Sequence, residues 1–227
     1  MKRLVLDIET LPVDINDAAK VAYLIGDVST DARLKDPEKI AAAMANAQAE
    51  AVSKTGLDGA FGRVLMVTIG DVESGDLITI ASDNVDEAQV LGGLLDTLKK
   101  LSSGETGRPE PLCIIGHNIG WDIRFLVQRC AVHGLKVDGR LLPFNAKPWD
   151  GDKMIDTMIG WAGVGGKIKL DRLCVALGIE SPKGEMDGSQ VAAFFTAGRF
   201  DDIVKYNRDD VVATMRVYKK LAAAGLV

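Results

Sequence analysis

A chain of 227 residues with 47% hydrophobic content can bury one substantial core, and it exceeds the minimum that many small folds need. Its net charge of −5 argues against a protein that coats nucleic acid by counterion release, but not against an enzyme that grips a few nucleotides and offsets its own acids with divalent cations. No apolar run approaches the ~18 residues that span a bilayer, and Lys2-Arg3 leads through a short apolar run straight to acids, so the expectation is a cytoplasmic protein without membrane contact.

In chain order, residues 3–7 predict a buried strand and residues 12–58 interrupt the sheet pattern. Within that interruption Asp36 reads as an N-cap with Pro37 at the first helical position, opening an Ala-rich helix to about Ser53. Residues 63–69 and 77–80 predict two strands joined as a hairpin across the turn residues from Asp71 to Asp76. An amphipathic helix over 86–101 carries Val90, Leu91, Leu94, Leu95 and Leu98 on one face. A Gly/Pro loop at 102–111 precedes a short apolar strand at 112–115 and a helix over about 121–133. Helices then dominate, at about 169–177, 188–197 and 200–224. The order predicts a mixed sheet with helices around it, an α/β fold. The three cysteines, Cys113, Cys130 and Cys174, form no CxxC pair and read as buried reduced thiols.

Asp7 and Glu9, in Asp7-Ile8-Glu9-Thr10, alternate on the first strand and face the same way. With 32 acids in the chain, roughly four such acid-x-acid triplets arise by chance, so a solvated strand end is the alternative. A second stretch, Gly116-His117-Asn118-Ile119-Gly120-Trp121-Asp122, follows the strand at 112–115. It puts Asn118 and Asp122 at the rim of the sheet, although an acid in a first helical turn also suits the helix dipole. The third stretch is the helix from residue 200, whose stripe runs through Ile203, Val204, Val211, Met215 and Tyr218. At 100° per residue Asp210 lies on the edge of that stripe with Tyr206 beside it, and Asp209 falls on the opposite face.

Together the three stretches resemble the exonuclease motifs of the DEDD superfamily, in the right order and across nearly the whole chain. Tyr206 stands four residues before Asp210, and position 205 is Lys where the histidine type needs His, so the likeness is to the tyrosine (DEDDy) type. Residues 169–195 and the helix after them look like the standalone predicted 3′–5′ exonucleases related to the family B DNA polymerase editing domain. The resemblance implies a ribonuclease H-like mixed central sheet flanked by helices, one exonuclease domain over 1–227, with 12–58 as an inserted helical arm of open role. It implies two divalent cations, Mg²⁺ or Mn²⁺, held by Asp7, Glu9, Asp122 and Asp210. Asp7, Glu9 and Asp210 would hold the first, Asp7 would bridge to the second, and Asp122 would act mainly through waters. Tyr206 would orient the attacking water.

The same resemblance places Thr10 and Leu11 at the terminal nucleotide, with Asn118 beside them. Lys183, in Lys183-Gly184-Glu185, is the candidate cation for a substrate phosphate, with a solvated loop lysine as the alternative. Trp121 stands where Phe usually precedes the motif's Asp, a departure expected to alter packing and leave the chemistry intact. His117 reads as a turn or packing residue. Gly163 to Lys167 is Gly-rich but lacks the first Gly and the Ser/Thr of a Walker A loop. The implied activity is metal-dependent hydrolysis from DNA 3′ ends, single strands preferred. The alternatives are an exoribonuclease of the ribonuclease D type, and a silent subunit docked on a polymerase or helicase. No polymerase fits in this length, so a replication partner would act in trans.

Overall fold

The computed structural model describes residues 1–103, 110–147, 150–182 and 186–227. Its centre is a five-stranded sheet in the order β3-β2-β1-β4-β5. The strands are β1 (Lys2–Leu11), β2 (Arg63–Asp71), β3 (Leu77–Ala81), β4 (Leu112–Gly116) and β5 (Met154–Asp156). β2 pairs antiparallel with both β1 and β3, while β4 runs parallel to β1 and β5 parallel to β4. The chain is therefore α/β with a mixed central sheet flanked by helices, the architecture that the resemblance implies.

Strand alternation divides the core. Leu4, Leu6 and Ile8 point to the side covered by α3 (Glu87–Leu101) and α4 (Ile119–Val132), where Leu91, Leu94, Leu98, Ile123 and Phe125 close the layer. Val5 points the other way, with Cys113 and Ile115, against Val211, Met215 and Tyr218 of the long C-terminal α8 (Phe200–Ala223). Gly70 of β2 makes that approach close: a Cβ there would lie 2.6 Å from the Met215 side chain and 2.7 Å from Val211. All three cysteines are free and buried. Among the described residues no helix is long and apolar enough to cross a membrane.

β1 is longer than the apolar run suggests. It continues through Glu9 to Leu11 because antiparallel pairing with β2 continues to Leu11↔Arg63, with a bulge between Glu9 and Thr10. Parallel pairing with β4 stops at Val5↔Ile115, so Asp7 and Glu9 project beyond β4 along an open edge. Residues 12–58 hold two helices, α1 (Ala18–Gly26) and α2 (Pro37–Lys54), and a 3-10 turn at Thr55–Leu57. Asp36 caps α2 as expected, accepting from the amides of Glu38 and Lys39. The expected helix over 188–197 is a 3-10 turn at Gly188–Gln190 followed by α7 (Val191–Thr196). β5 and α5 (Thr157–Ala162) escaped the pattern because each is too short to show a period. The remaining helix is α6 (Leu170–Ala176).

Candidate active site

Three elements meet where β1 outruns β4. β1 supplies Asp7 and Glu9, which share the parity of Val5 and so face α8. α4, entered by the turn after β4, supplies Asp122 from its first turn. Gly116 is required at that entry, because a Cβ would lie 2.7 Å from the buried Ile119 side chain. Asn118 takes a left-handed conformation, φ 66°, and its amide donates to Asp156 Oδ1 at 3.0 Å. Asp156 also accepts from the amides of Met158 and Ile159, so one carboxylate at the end of β5 caps α5 and pins the turn that aims α4. α8 supplies Asp210 from the border of a stripe in which Ile203, Asn207, Val211 and Met215 are buried.

One carboxylate oxygen each from Asp7, Glu9 and Asp210 lies within 4.8 Å of the other two. Asp122 stands outside that triad but close enough to repel Asp7 and Glu9. Among the described residues no lysine or arginine pairs with these acids. Burial, then the neighbouring carboxylates, raise Asp7 and Glu9 well above the ordinary carboxylate range. Burial does the same to Asp122, partly offset by the backbone amides of Asp122 and Ile8. Asp210 is pushed up to about 6 by burial, against a lowering hydrogen bond from Tyr206. Burial and the surrounding carboxylates drive the Tyr206 phenol upward, so it keeps its proton. An all-oxygen, uncompensated set of this kind fits a hard divalent cation such as Mg²⁺ or Mn²⁺.

Asn207 was absent from the expected site. It is 0% exposed, and its Nδ2 donates to Asp7 Oδ2 at 2.6 Å. It also lowers the pKa of the Glu9 carboxyl, and its Oδ1 has no partner among the described residues. The available signal was an Asn four residues before Val211 and four after Ile203, a polar residue inside an apolar stripe. Asp156 was missed because its strand is three residues long. Beside Tyr206 and Asp210 opens a cavity of about 460 Å³, walled by Lys169, Asp171 and Gly188. Lys169, also missed, is an exposed cation on that wall.

The other expected contacts are dispersed. The Thr10 hydroxyl donates to Gly56 O at 2.6 Å, tying β1 to the end of the arm. Leu11 is buried at the bottom of a second cavity between arm and sheet. Asn118 is exposed at the turn. Trp121 packs on Phe125, ring centroids 5.3 Å apart, on the margin of the core. Lys183 lies outside the described residues. His117 bridges Thr157 Oγ1 at 3.0 Å and Ile168 O at 2.8 Å, and burial lowers its pKa. Asp209 pairs with Lys205 on the outer face of α8.

A family described as predicted 3′–5′ exonucleases related to the exonuclease domain of PolB matches residues 63–225. The match begins at β2 and so includes Asp122, Tyr206 and Asp210 but not Asp7 and Glu9. No curated protein matches the chain.

Proposed function

The chain belongs to the predicted 3′–5′ exonucleases related to the exonuclease domain of PolB, and from that premise we propose that it hydrolyses phosphodiester bonds from the 3′ end of DNA, single strands preferred, releasing nucleoside 5′-monophosphates. The observation that carries this reading is the triad of Asp7, Glu9 and Asp210, with Glu9 buried and the other two half-buried, oxygens within 4.8 Å of one another, and no lysine or arginine among the described residues paired with them. Relation to a polymerase's exonuclease domain favours DNA over RNA, and a replication partner in trans fits the same relation.

In this reading residues 1–227 act as one exonuclease unit with 12–58 as its arm. Asp7, Glu9 and Asp210 hold divalent cations, Mg²⁺ or Mn²⁺, with Asp122 beside them. Such ions, when bound, supply an activated water and offset charge on the leaving oxygen. Asn207 fixes the Asp7 carboxylate through its amide. Tyr206, whose phenol burial and the surrounding carboxylates keep protonated in the metal-free site, orients the attacking water as a hydrogen-bonding group. Thr10 through its backbone, Leu11 and Asn118 hold the terminal nucleotide, with Trp121 beside them, and the lysines Lys183 and Lys169 are the cations for its phosphate.

The test is incubation of purified protein with 5′-labelled single-stranded DNA and RNA of matched sequence, with Mg²⁺, Mn²⁺ or EDTA. Stepwise shortening of DNA from its 3′ end is expected with metal and none with EDTA. Asp210→Asn should abolish it and Asp209→Asn should leave it. Shortening of RNA alone would turn the reading to an exoribonuclease, and no shortening of either substrate would overturn it.

A further inference from the structure

The inserted arm encloses a cleft of about 870 Å³, of which the chemistry above uses Leu11 alone. Its base is Leu11, two residues beyond Glu9 on the same strand. One wall is the arm, with Gln48 of α2, and the other carries Asn84, Val85 and Phe195 of α7. α7 and the 3-10 turn before it separate this cleft from the cavity beside Tyr206 and Asp210.

Its lining is mostly apolar, with one aromatic ring, the neutral amides Asn16, Gln48 and Asn84, the hydroxyls of Ser53 and Thr196, and the charged side chains of Asp14, Arg63 and Asp83. Phe195 is braced edge-on by Phe200, ring centroids 6.5 Å apart. Arg63 is already engaged, by Pro12 O at 2.9 Å and Asp14 at 3.5 Å. Such a lining suits nucleobases, which offer a flat face to stack and an edge to hydrogen-bond, better than it suits phosphates. Val85 adds an independent sign. It is β-branched at φ 58°, a conformation that glycine or asparagine adopts far more readily. The 82–86 turn holds it there: the Val85 amide donates to Ser82 O at 3.2 Å and the Asp86 amide to Ser82 Oγ at 2.9 Å. A strained valine on the wall of a cleft is a side chain held in place for contact.

We infer that this cleft binds the bases of single-stranded nucleic acid lying 5′ of the terminal nucleotide, with the arm as its outer wall. The inference rests on the exonuclease reading, since the strand reaches the cleft from a 3′ end seated at Glu9. The arm would then set how strongly the enzyme holds a long strand against a short one.

Binding is measured in EDTA, where no cleavage occurs, by anisotropy of a labelled oligothymidylate dodecamer and dinucleotide on the full chain. The wild type should favour the dodecamer. Phe195→Ala should cut that preference about tenfold, the worth of one stacked base, and Val85→Gly should reduce it in the same direction. Val85→Gly relaxes the backbone as it removes the side chain, so it guards against a folding failure in Phe195→Ala. A dodecamer preference unchanged in both variants overturns the proposal, as does self-association through this face with that preference unchanged. If the wild type binds the dodecamer through Phe195 yet shortens no nucleic acid with Mn²⁺, the exonuclease reading falls and the cleft stands.

Discussion

Asn207 ties α8 to β1 through its bond to Asp7 at 2.6 Å, and it does so from a fully buried position. Removing a donor from a buried carboxylate costs about 1–3 kcal/mol. Asn207→Ala should therefore lower metal-free stability by that order, and reduce cleavage ~10–100-fold as outer-shell partners do. Asn207→Asp keeps the shape but adds another acid to the triad, so in EDTA it should melt below Asn207→Ala. Saturating Mn²⁺ should narrow that gap. Thermal melts of the two variants with and without Mn²⁺ check this, and Asn207→Asp melting above Asn207→Ala in EDTA would contradict it. Phase alone separated Asp210 from Asp209, because a helix repeats its geometry at every turn. Asn207 obeys the same phase yet stayed unseen, because its partner lies 200 residues away.

At the scale of elements, one buried cluster joins the end of the arm, the start of β2, α3 and α4. Arg129 donates to both Glu87 oxygens at 2.9 and 2.8 Å and to the carbonyls of Gly59 and Ala60 at 3.3 and 3.0 Å. Glu87 also accepts the Val64 amide at 2.7 Å and lies 2.7 Å from His133 Nε2. Its pKa is lowered: burial alone would raise it, but the bonds from Arg129, Val64 and His133 outweigh that. Glu87→Ala would leave Arg129 buried with a charge uncompensated, at a cost of about 3–5 kcal/mol. Urea unfolding should show a loss of that size, and a loss below about 1 kcal/mol would mean that the cluster relaxes into water. The long helices and the hairpin were readable because each repeats its own period many times over. α1, β5 and α5 were not, since a segment of three to nine residues is stabilised by its neighbours more than by its own pattern.

For the whole molecule, the acidic site couples stability to pH and metal. Asp7, Glu9 and Asp122 are raised well above the carboxylate range, and Asp210 to about 6. The folded chain thus binds these protons more tightly than the unfolded one, whose carboxylates titrate near pH 4. That stabilisation is fully present below about pH 4 and is lost as pH rises through the folded values. Glu87, lowered, has the opposite sign, and its contribution is complete above about pH 4.5. His117, also lowered, adds stability above about pH 6.5 that fades below it. The comparison is therefore wild type against Asp7→Asn in EDTA between pH 5 and 7. The wild type should lose melting temperature relative to the variant as pH rises, and Mn²⁺ at pH 7 should restore it by mass action. Parallel melting curves for the two proteins would argue against a shared, charge-coupled site.

The sequence by itself determined the mixed sheet, the hairpin, the long helices and the order of the three acidic stretches. Hydrophobic period and motif order are local properties of the chain, and both are written in single segments. Only the tertiary structure decided that β1 outruns β4, that Gly70 lets α8 settle on the sheet, and that Asp7, Glu9 and Asp210 share a space less than 5 Å across. The same holds for the cleft under the arm. Residues 12–58 carry no strand pattern and bury none of the side chains of α1 or α2. What they enclose exists only once Thr10 and Val13, bonded to Gly56 and Thr55, fold the arm back against the strand it interrupts.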